Sequence, residues 1–280
     1  QAEISEKGAE LKSFRRLADG REYIWGGDPR FWAKSSPVLF PIVGALINDT
    51  YLYEDRAYQL PRHGFARDQI FAEHKVSDTE AYFTLHDTSA SWQVYPFAFR
   101  LTVRYVLEGE SLHCIYEVAN PDDERTLLFS LGGHPAFAID TGNGVTYNDS
   151  YLEFPDDITL DCHQLEGNLI SDSVRRILLR NHRLYLEYAL FYNDALILKT
   201  LKSRQITLRN QVTGQGLRFR FDDFPYFGIW AAKDADFVCL EPWCGIADVV
   251  GHNQQFTQKI GIVRLEPRGR WTRGWTVTCF

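Results

Sequence analysis

Residues 99–120, FRLTVRYVLEGESLHCIYEVAN, decide the fold class of this chain. Phe99, Leu101 and Val103 alternate with charged or hydroxyl-bearing side chains, and the same alternation resumes after residues 108–111. A period of two is typical of strands that bury one face, and the Glu-Gly-Glu-Ser stretch between the two arms suits a turn. The stretch therefore predicts a β-hairpin.

The same pattern recurs along the chain. RQITLRNQVTGQGLRFRFDD, residues 204–223, predicts a second hairpin with its turn at 213–216. Further strands are predicted at 21–25, 81–87, 195–201, 227–232 and 236–242. Helical periodicity is nearly absent, and its best candidate is a short turn near 28–33. We expect an all-β fold, a large antiparallel sandwich or barrel with few short helical turns, formed by one domain over residues 1–280.

The composition argues against two classes of function, nucleic-acid binding and membrane spanning. Of the 280 residues, 45% are hydrophobic and 14% aromatic, which is enough for a packed core. The net charge of −7 argues against a nucleic-acid partner, since phosphate attraction needs a basic surface. No apolar run approaches the roughly 18 residues that span a bilayer. These features predict a cytoplasmic protein with no membrane or nucleic-acid partner, as a monomer or weak homodimer.

The five cysteines are an odd number, and none lies in a CxxC spacing. Reduced thiols fit this pattern best. The eight histidines form no cluster at the short spacings typical of metal ligands. We therefore expect no structural zinc site.

Three segments carry side chains that suit chemistry. The first is PRHGFAR, residues 61–67, in which His63 lies between Arg62 and Arg67. It is equally the composition of a surface loop with solvated arginines.

The second segment is FSLGGHPAFAI, residues 129–139. Pro135 has no N–H for a strand ladder, so the strand must end or bulge at this point. His134 is then either a core histidine at a bulge or an imidazole placed to transfer a proton near neutral pH.

The third segment is FVCLEPWCGIAD, residues 237–248, where Glu241 follows an apolar strand. Burial should raise the pKa of this carboxyl unless a cation compensates, so the alternatives are a functional acid or base and an ion pair with a buried arginine. Trp230 and Trp243 add flat faces that suit the C–H side of a sugar ring, although many tryptophans are simply core residues.

In this order, HGFAR, GGHPAF and LEPW followed by GIAD resemble the aldose 1-epimerase, or galactose mutarotase-like, family, in particular its LacX-like branch. The resemblance spans nearly the whole chain. It continues through GAELKSF (8–14), YIWGGDPRFW (23–32), SPVLFPIVG (36–44) and LEPRGRW (265–271).

The resemblance implies a large antiparallel β-supersandwich that interconverts the anomers of an aldose. It implies Glu241 as the base that removes the anomeric proton and His134 as the acid that protonates the ring oxygen. It implies that His63 binds sugar hydroxyls, and that no metal or organic cofactor takes part.

The match is uneven beside PIVGALIND, residues 41–49. Ala45 and Leu46 stand where the family usually has an arginine, although Asn48 remains for substrate binding. Arg67 is a candidate to replace that arginine. Asp194, in FYNDALIL, is a candidate for the aspartate that binds sugar hydroxyls.

Trp230 completes the predicted set of substrate-binding residues. Two alternatives to an epimerase of free hexoses stay open at this point. One is a hexose-6-phosphate mutarotase that uses Arg62, Arg67 or Arg30. The other is a catalytically silent carbohydrate-binding or sensing protein.

Overall fold

A computed structural model describes all 280 residues. The chain forms 23 β-strands, one α-helix and five 3₁₀ helices. The strands of the first half are β1 (Ala2–Ser5), β2 (Glu10–Phe14), β3 (Val38–Leu39), β4 (Thr50–Tyr53), β5 (Arg56–Gln59), β6 (Ala72–Lys75), β7 (Glu80–His86), β8 (Arg100–Glu108), β9 (Ser111–Ala119), β10 (Leu127–Phe129), β11 (Leu131–Gly133) and β12 (Ala136–Ala138).

The strands of the second half are β13 (Ser150–Glu153), β14 (Thr159–Glu166), β15 (Leu169–Leu178), β16 (Arg183–Tyr185), β17 (Leu196–Leu198), β18 (Gln205–Asn210), β19 (Gly216–Arg220), β20 (Tyr226–Trp230), β21 (Phe237–Cys244), β22 (Val263–Leu265) and β23 (Arg270–Cys279). The α-helix, α1, is Ser89–Val94, and the 3₁₀ helices are Ile47–Asp49, Ala66–Asp68, Tyr147–Asp149, Tyr188–Phe191 and Phe256–Gln258.

Two large antiparallel sheets make up most of the molecule. Nine strands form one sheet in the order β16-β13-β18-β19-β23-β9-β8-β7-β6. Eight strands form the other, in the order β15-β14-β17-β20-β21-β11-β3, with β12 also paired to β21. Three further pairs, β1-β2, β4-β5 and β10-β22, lie outside these sheets. The predicted all-β class is confirmed.

Aromatic side chains fill the space between the two large sheets. Phe137 of β12 packs against Phe219 of β19 with ring centroids 5.5 Å apart, and Phe221, directly after β19, packs against Phe227 of β20 at 4.2 Å. All four rings are buried. Because burying one such side chain stabilises a fold by roughly 1.5–3 kcal/mol, this layer holds the sheets face to face.

Both predicted hairpins are confirmed, as β8-β9 and β18-β19. Strand β21 is buried on both faces, and it runs past Glu241 to Cys244 rather than ending at the carboxylate. The strand predicted at 21–25 is wrong, because only isolated bridges form there, at Glu22 and Ile24. Glu22 bridges to Arg15 and Ile24 bridges to Phe137 of β12, so single bridges replace a continuous ladder in this segment.

The candidate helical turn near 28–33 is a hydrogen-bonded turn, in which the Asp28 carbonyl accepts from the amides of Phe31 and Trp32. The sequence prediction missed α1. Thr88 and Ser91 cap this helix reciprocally, each side chain accepting from the other's amide. No helix of the chain is long and apolar enough to cross a membrane.

Candidate active site

A cavity of about 340 Å³ opens on the eight-stranded sheet. This volume lies in the range of small-molecule sites. Six of the seven residues predicted for the site line it, namely His63, Arg67, His134, Asp194, Trp230 and Glu241. They come from four distant parts of the chain, which the two sheets bring together.

The break predicted at Pro135 places the first pair of side chains. Strand β11 pairs with residues 243–244 of β21, and β12 pairs with residues 237–239 of the same strand. His134 and Pro135 lie in the gap between the two pairings, opposite Glu241. A proline at this point removes a ladder donor, so the chain can leave the sheet and direct the imidazole toward the carboxylate.

His134 Nε2 lies 3.2 Å from Glu241 Oε2. Both side chains are buried, and both present a polar atom without a hydrogen-bond partner, Nδ1 of His134 and Oε2 of Glu241. Burial is the main cause that raises the pKa of Glu241 well above its ordinary value and lowers the pKa of His134. A buried pair with unpartnered atoms in a cavity is typical of a site that exchanges protons with a ligand.

Two tryptophans flank this pair. Trp32 stacks on the His134 ring at 4.9 Å with a 29° interplanar angle, and Trp230 meets the same ring edge-on at 5.7 Å. The two indoles contact each other at 5.4 Å. They fix the orientation of the imidazole and give the cavity an apolar wall. Trp32 lies in the YIWGGDPRFW stretch, but its place beside His134 depends on the tertiary fold, and the sequence analysis did not assign it to the site.

His63 approaches the pair from the other side, with its ring 5.9 Å from that of His134 and nearly perpendicular to it. The residue has a φ of 70°, and its amide donates to the carbonyl of Gly44 at 2.9 Å. The Gly44 amide in turn donates to Nδ1 of His63 at 3.1 Å. Burial lowers the pKa of His63 well below its ordinary value, so the ring is neutral.

The arginines of PRHGFAR occupy different places. Arg67 donates through Nη2 to the carbonyl of Arg62 at 2.8 Å, whereas its Nε is buried without a hydrogen-bond partner. Burial lowers the pKa of Arg67. Arg62 lies at the cavity mouth, where Nη1 donates to Oδ1 of Asn168 at 3.2 Å and Nη2 lies 3.6 Å from Oδ1 of Asp194.

Asn168, at the tip of the β14-β15 hairpin, was not predicted to line the cavity. Nothing in its local sequence distinguishes it from any other turn residue.

Asn48 is the one predicted residue that the structure leaves outside the cavity. It is exposed in the 3₁₀ turn Ile47–Asp49 with a φ of 53°, and its carbonyl accepts from Oγ1 of Thr50. The preceding residues, Ala45 and Leu46, are buried and apolar, and this turn carries the chain outward from the cavity. Asn48 therefore has no place in the site as the structure describes it.

The sequence spacings predicted no metal cluster, yet the fold brings His134, Cys239 and Glu241 together. One potential ligand atom from each lies within 4.8 Å of the others. Burial raises the pKa of Cys239 well above its ordinary value, so a metal that bound here would have to displace the thiol proton. All five cysteines are buried and form no disulfide.

Comparison with known proteins agrees with this architecture. The sequence model of the family described as aldose 1-epimerase matches residues 1–262. The protein LacX, chromosomal, of Lactococcus lactis subsp. lactis is 33% identical, with 97% of this chain and 93% of that protein aligned.

Two solved structures share the fold. One is a galactose mutarotase related enzyme from Lactobacillus acidophilus, with a TM-score of 0.93 and 32% identity over 100% of this chain and 94% of that one. The other is a galactose mutarotase-like protein from Lactobacillus casei, with a TM-score of 0.91 and 29% identity over 100% of this chain and 96% of that one.

Proposed function

The chain belongs to the aldose 1-epimerase family, and from that premise we propose that it interconverts the α and β anomers of a hexose or related aldose. The observation that carries the proposal is the buried contact of 3.2 Å between His134 and Glu241 at the wall of a cavity of sugar size. The reaction needs one base and one acid near the anomeric centre, and these two side chains provide them.

Ring opening uses both groups. The Glu241 carboxylate takes the proton of the anomeric hydroxyl, the bond between the anomeric carbon and the ring oxygen breaks, and the ring oxygen takes a proton from His134. The open-chain aldehyde then rotates about one C–C bond and closes by the reverse transfers, in which Glu241 gives up its proton and His134 regains one, so each group recovers its original protonation state. Each such proton transfer accelerates a reaction by about 10²- to 10⁴-fold.

Burial favours a different location for the proton of this pair. It raises the pKa of Glu241 and lowers that of His134, so it favours a protonated carboxyl and a neutral imidazole. The reactive form differs from this one by a single proton transfer across the 3.2 Å contact. Sugar hydroxyls that donate to the carboxylate would favour the reactive form, since hydrogen bonds to a charged group stabilise its charge.

The other cavity residues have proposed binding roles. His63 donates to the ring oxygen or a neighbouring hydroxyl, Arg67 uses its unpartnered Nε, and Asp194 accepts from sugar hydroxyls. Trp230, with Trp32, packs against the C–H face of the sugar ring. A buried polar group that meets its partner only in the complex gives specificity for hydroxyl positions.

Anomer exchange measured by NMR on α- and β-glucose and on galactose tests the proposal. The wild-type protein should exchange the anomers faster than buffer, and Glu241→Gln should remove the acceleration. Asn48→Gly is a matched control outside the cavity and should keep it. Wild-type rates equal to those of buffer on every aldose tested would contradict the proposal. Tight sugar binding by calorimetry with no exchange would favour a silent carbohydrate-binding protein instead.

A second candidate, mutarotation of sugar phosphates, is favoured by Arg62 and Arg67 lining the same cavity. A cavity that gathers two guanidiniums attracts anions even when the whole protein is negative. Comparison of glucose with glucose 6-phosphate separates the two candidates. If the phosphate is the substrate, Arg62→Gln should raise KM for glucose 6-phosphate and leave KM for glucose nearly unchanged.

A further inference from the structure

The GIAD stretch that follows Glu241 is not accounted for by the proposed reaction, yet its aspartate is one of the most buried charges in the protein. Oδ1 of Asp248 accepts from Nζ of Lys259 at 2.9 Å, and each side chain is only 1% exposed. Neither residue lines the cavity. Because burying two charges is costly, such a pair calls for a structural reason.

Asp248 binds the loop that ends PIVGALIND from two directions. Its amide donates to the carbonyl of Ala45 at 2.9 Å, and Oδ2 accepts from the amide of Ile47 at 3.1 Å. Lys259 occupies the other carboxylate oxygen. The carboxylate is therefore held by a cation on one side, and it holds the loop on the other.

The same loop carries Gly44, which contacts both Ala247 and His63. A Cβ atom built on Gly44 would lie 2.5 Å from the Cβ of Ala247, so only glycine allows this approach, and its φ of 73° suits glycine as well. The Gly44 amide donates to Nδ1 of His63, and the Gly44 carbonyl accepts from the His63 amide. The position of Gly44 therefore determines which group faces Nδ1.

A neutral imidazole has one donor nitrogen and one acceptor nitrogen. Since Nδ1 of His63 accepts from a buried backbone amide, the ring proton is on Nε2. Nε of Arg62 also points its hydrogen at Nε2, at 3.3 Å, and a neutral ring cannot accept from both donors. The Gly44 amide is fixed in a buried backbone, whereas Arg62 is a half-exposed side chain at the mouth that can rotate. We therefore take the contact with Gly44 as the retained hydrogen bond, and Nε2–H meets a ligand oxygen once Arg62 turns its Nε away.

We propose that the buried Asp248–Lys259 pair is a positioning element of the active site, which holds Gly44 against His63 and thereby fixes His63 as the tautomer with its proton on Nε2. His63 then presents a donor to a sugar oxygen once the Arg62 side chain turns its Nε away, and the ring itself need not rearrange. The kinetic consequence rests on the proposed epimerase function, whereas the tautomer itself does not.

Two matched double variants separate positioning from charge. Asp248→Asn/Lys259→Met removes both charges but keeps an amide oxygen for the Ile47 amide. Asp248→Leu/Lys259→Met has similar volume and no acceptor. Replacing a buried ion pair as a unit is often tolerated, so both variants are expected to fold.

Nitrogen-15 NMR of the histidine rings gives the first measurement, with His63 assigned by its loss in His63→Asn. Wild type and the asparagine double variant should show Nε2 protonated and Nδ1 unprotonated, with coupling across the hydrogen bond from the Gly44 amide. The leucine double variant should show a mixture of tautomers. In the anomer-exchange assay its kcat should fall about tenfold, the equivalent of one lost hydrogen bond, with kcat largely recovered in the asparagine variant.

The proposal is overturned if wild-type His63 carries its proton on Nδ1, or if the leucine variant keeps one tautomer and full kcat. If the leucine variant fails to fold, the His63 tautomer in wild type and in the asparagine variant still tests the positioning proposal. A correct tautomer in a protein that exchanges no anomers would contradict the epimerase function and leave the positioning intact.

Discussion

Two buried acid–base pairs lie close together in this chain, and they are built differently. His134 Nε2 and Glu241 Oε2 are 3.2 Å apart, and Lys259 Nζ and Asp248 Oδ1 are 2.9 Å apart. All four side chains are buried. By distance and burial alone the pairs are hard to distinguish.

Their remaining hydrogen bonds distinguish them. Both oxygens of Asp248 have partners, in Lys259 and the Ile47 amide. Glu241 and His134 each have a polar atom with no partner, and both residues line a cavity. Burial with a partner for both carboxylate oxygens is typical of a structural ion pair. Burial together with unpartnered atoms beside a cavity is typical of chemistry, because a ligand can supply the missing partner.

Removal of one partner from each pair should give the largest difference in the free energy of unfolding between the two pairs. Lys259→Met leaves Asp248 buried without its cation, and we expect it to lower the free energy of unfolding by about 3–5 kcal/mol. In His134→Asn, burial favours a neutral, protonated Glu241, so no uncompensated charge is left in the fold. The decrease in the free energy of unfolding should therefore be much smaller than in Lys259→Met. Denaturant unfolding of the two variants and wild type measures both values.

Equal decreases in the free energy of unfolding of the two variants would show that Glu241 is ionised in the fold and is stabilised by a charged His134. The comparison between the pairs would then fail. Anomer exchange by folded Lys259→Met at the wild-type rate would also separate stability from function at that position.

Gly44 lies between the two pairs, and its substitution should give the second-largest decrease in the free energy of unfolding. Gly44→Ala combines a left-handed backbone with the contact to Ala247, and we expect a loss of about 2–5 kcal/mol in the free energy of unfolding. Gly20 has the same φ of 73° with no atom within 4 Å of a built Cβ. Gly20→Ala should therefore lose only about 1–2 kcal/mol, the cost of the backbone strain. Similar losses in the two variants would show that the loop yields to the added methyl group.

The pH dependence of stability tests the protonation of the His134–Glu241 pair. Burial lowers the pKa of His63 and His134, so the unfolded chain binds protons below the ordinary value of 6.5 that the folded chain does not, and stability falls as pH falls. The raised pKa of Glu241 acts in the opposite direction, because the folded chain keeps a proton that the unfolded chain loses above 4.5. Between pH 4.5 and 6.5, the effect of Glu241 on the pH dependence of stability therefore cancels the effect of one histidine.

In Glu241→Gln this offset is absent. The free energy of unfolding should fall more steeply between pH 6 and 5, by about 1.4 kcal/mol per pH unit relative to wild type. Chemical denaturation at a series of pH values measures the two slopes. Parallel slopes would show that Glu241 carries no proton in the folded chain between pH 6 and 5.

An exposed pair provides the smallest expected effect. Arg176 contacts Asp161 through two hydrogen bonds, of 2.6 and 3.0 Å, on the outer hairpin β14-β15. Its geometry is better than that of either buried pair. Water screens it, so Arg176→Gln should leave the denaturant midpoint within measurement error, most clearly at high salt. A measurable loss would show that distance matters more here than burial.

The sequence predicted the fold where the pattern is local. The alternation in residues 99–120 depends on one buried face, and Pro135 marks the break in its strand whatever its surroundings. The prediction at 21–25 was wrong because the segment meets Arg15 and Phe137 of β12 through isolated bridges rather than through a continuous ladder. Helix α1 was missed because six residues are too few to show a helical period.

The site was predictable in part for the same reason. His63, His134 and Glu241 belong to short motifs that can be recognised from the sequence alone. Six of the seven predicted residues line the cavity. Asn48 was misplaced because an outward turn follows the buried Leu46. Asn168 and Trp32 reach the cavity only through the tertiary fold, which no local pattern reports.

The interruption between β11 and β12 also has a consequence for folding. His134 reaches Glu241 only when both short strands have added to β21, and His63 arrives from a third part of the chain. Contacts between such distant residues form late, because long loops must close first. Recovery of anomer exchange after dilution from denaturant should therefore lag behind recovery of β-sheet circular dichroism, so that activity reports the last step of assembly.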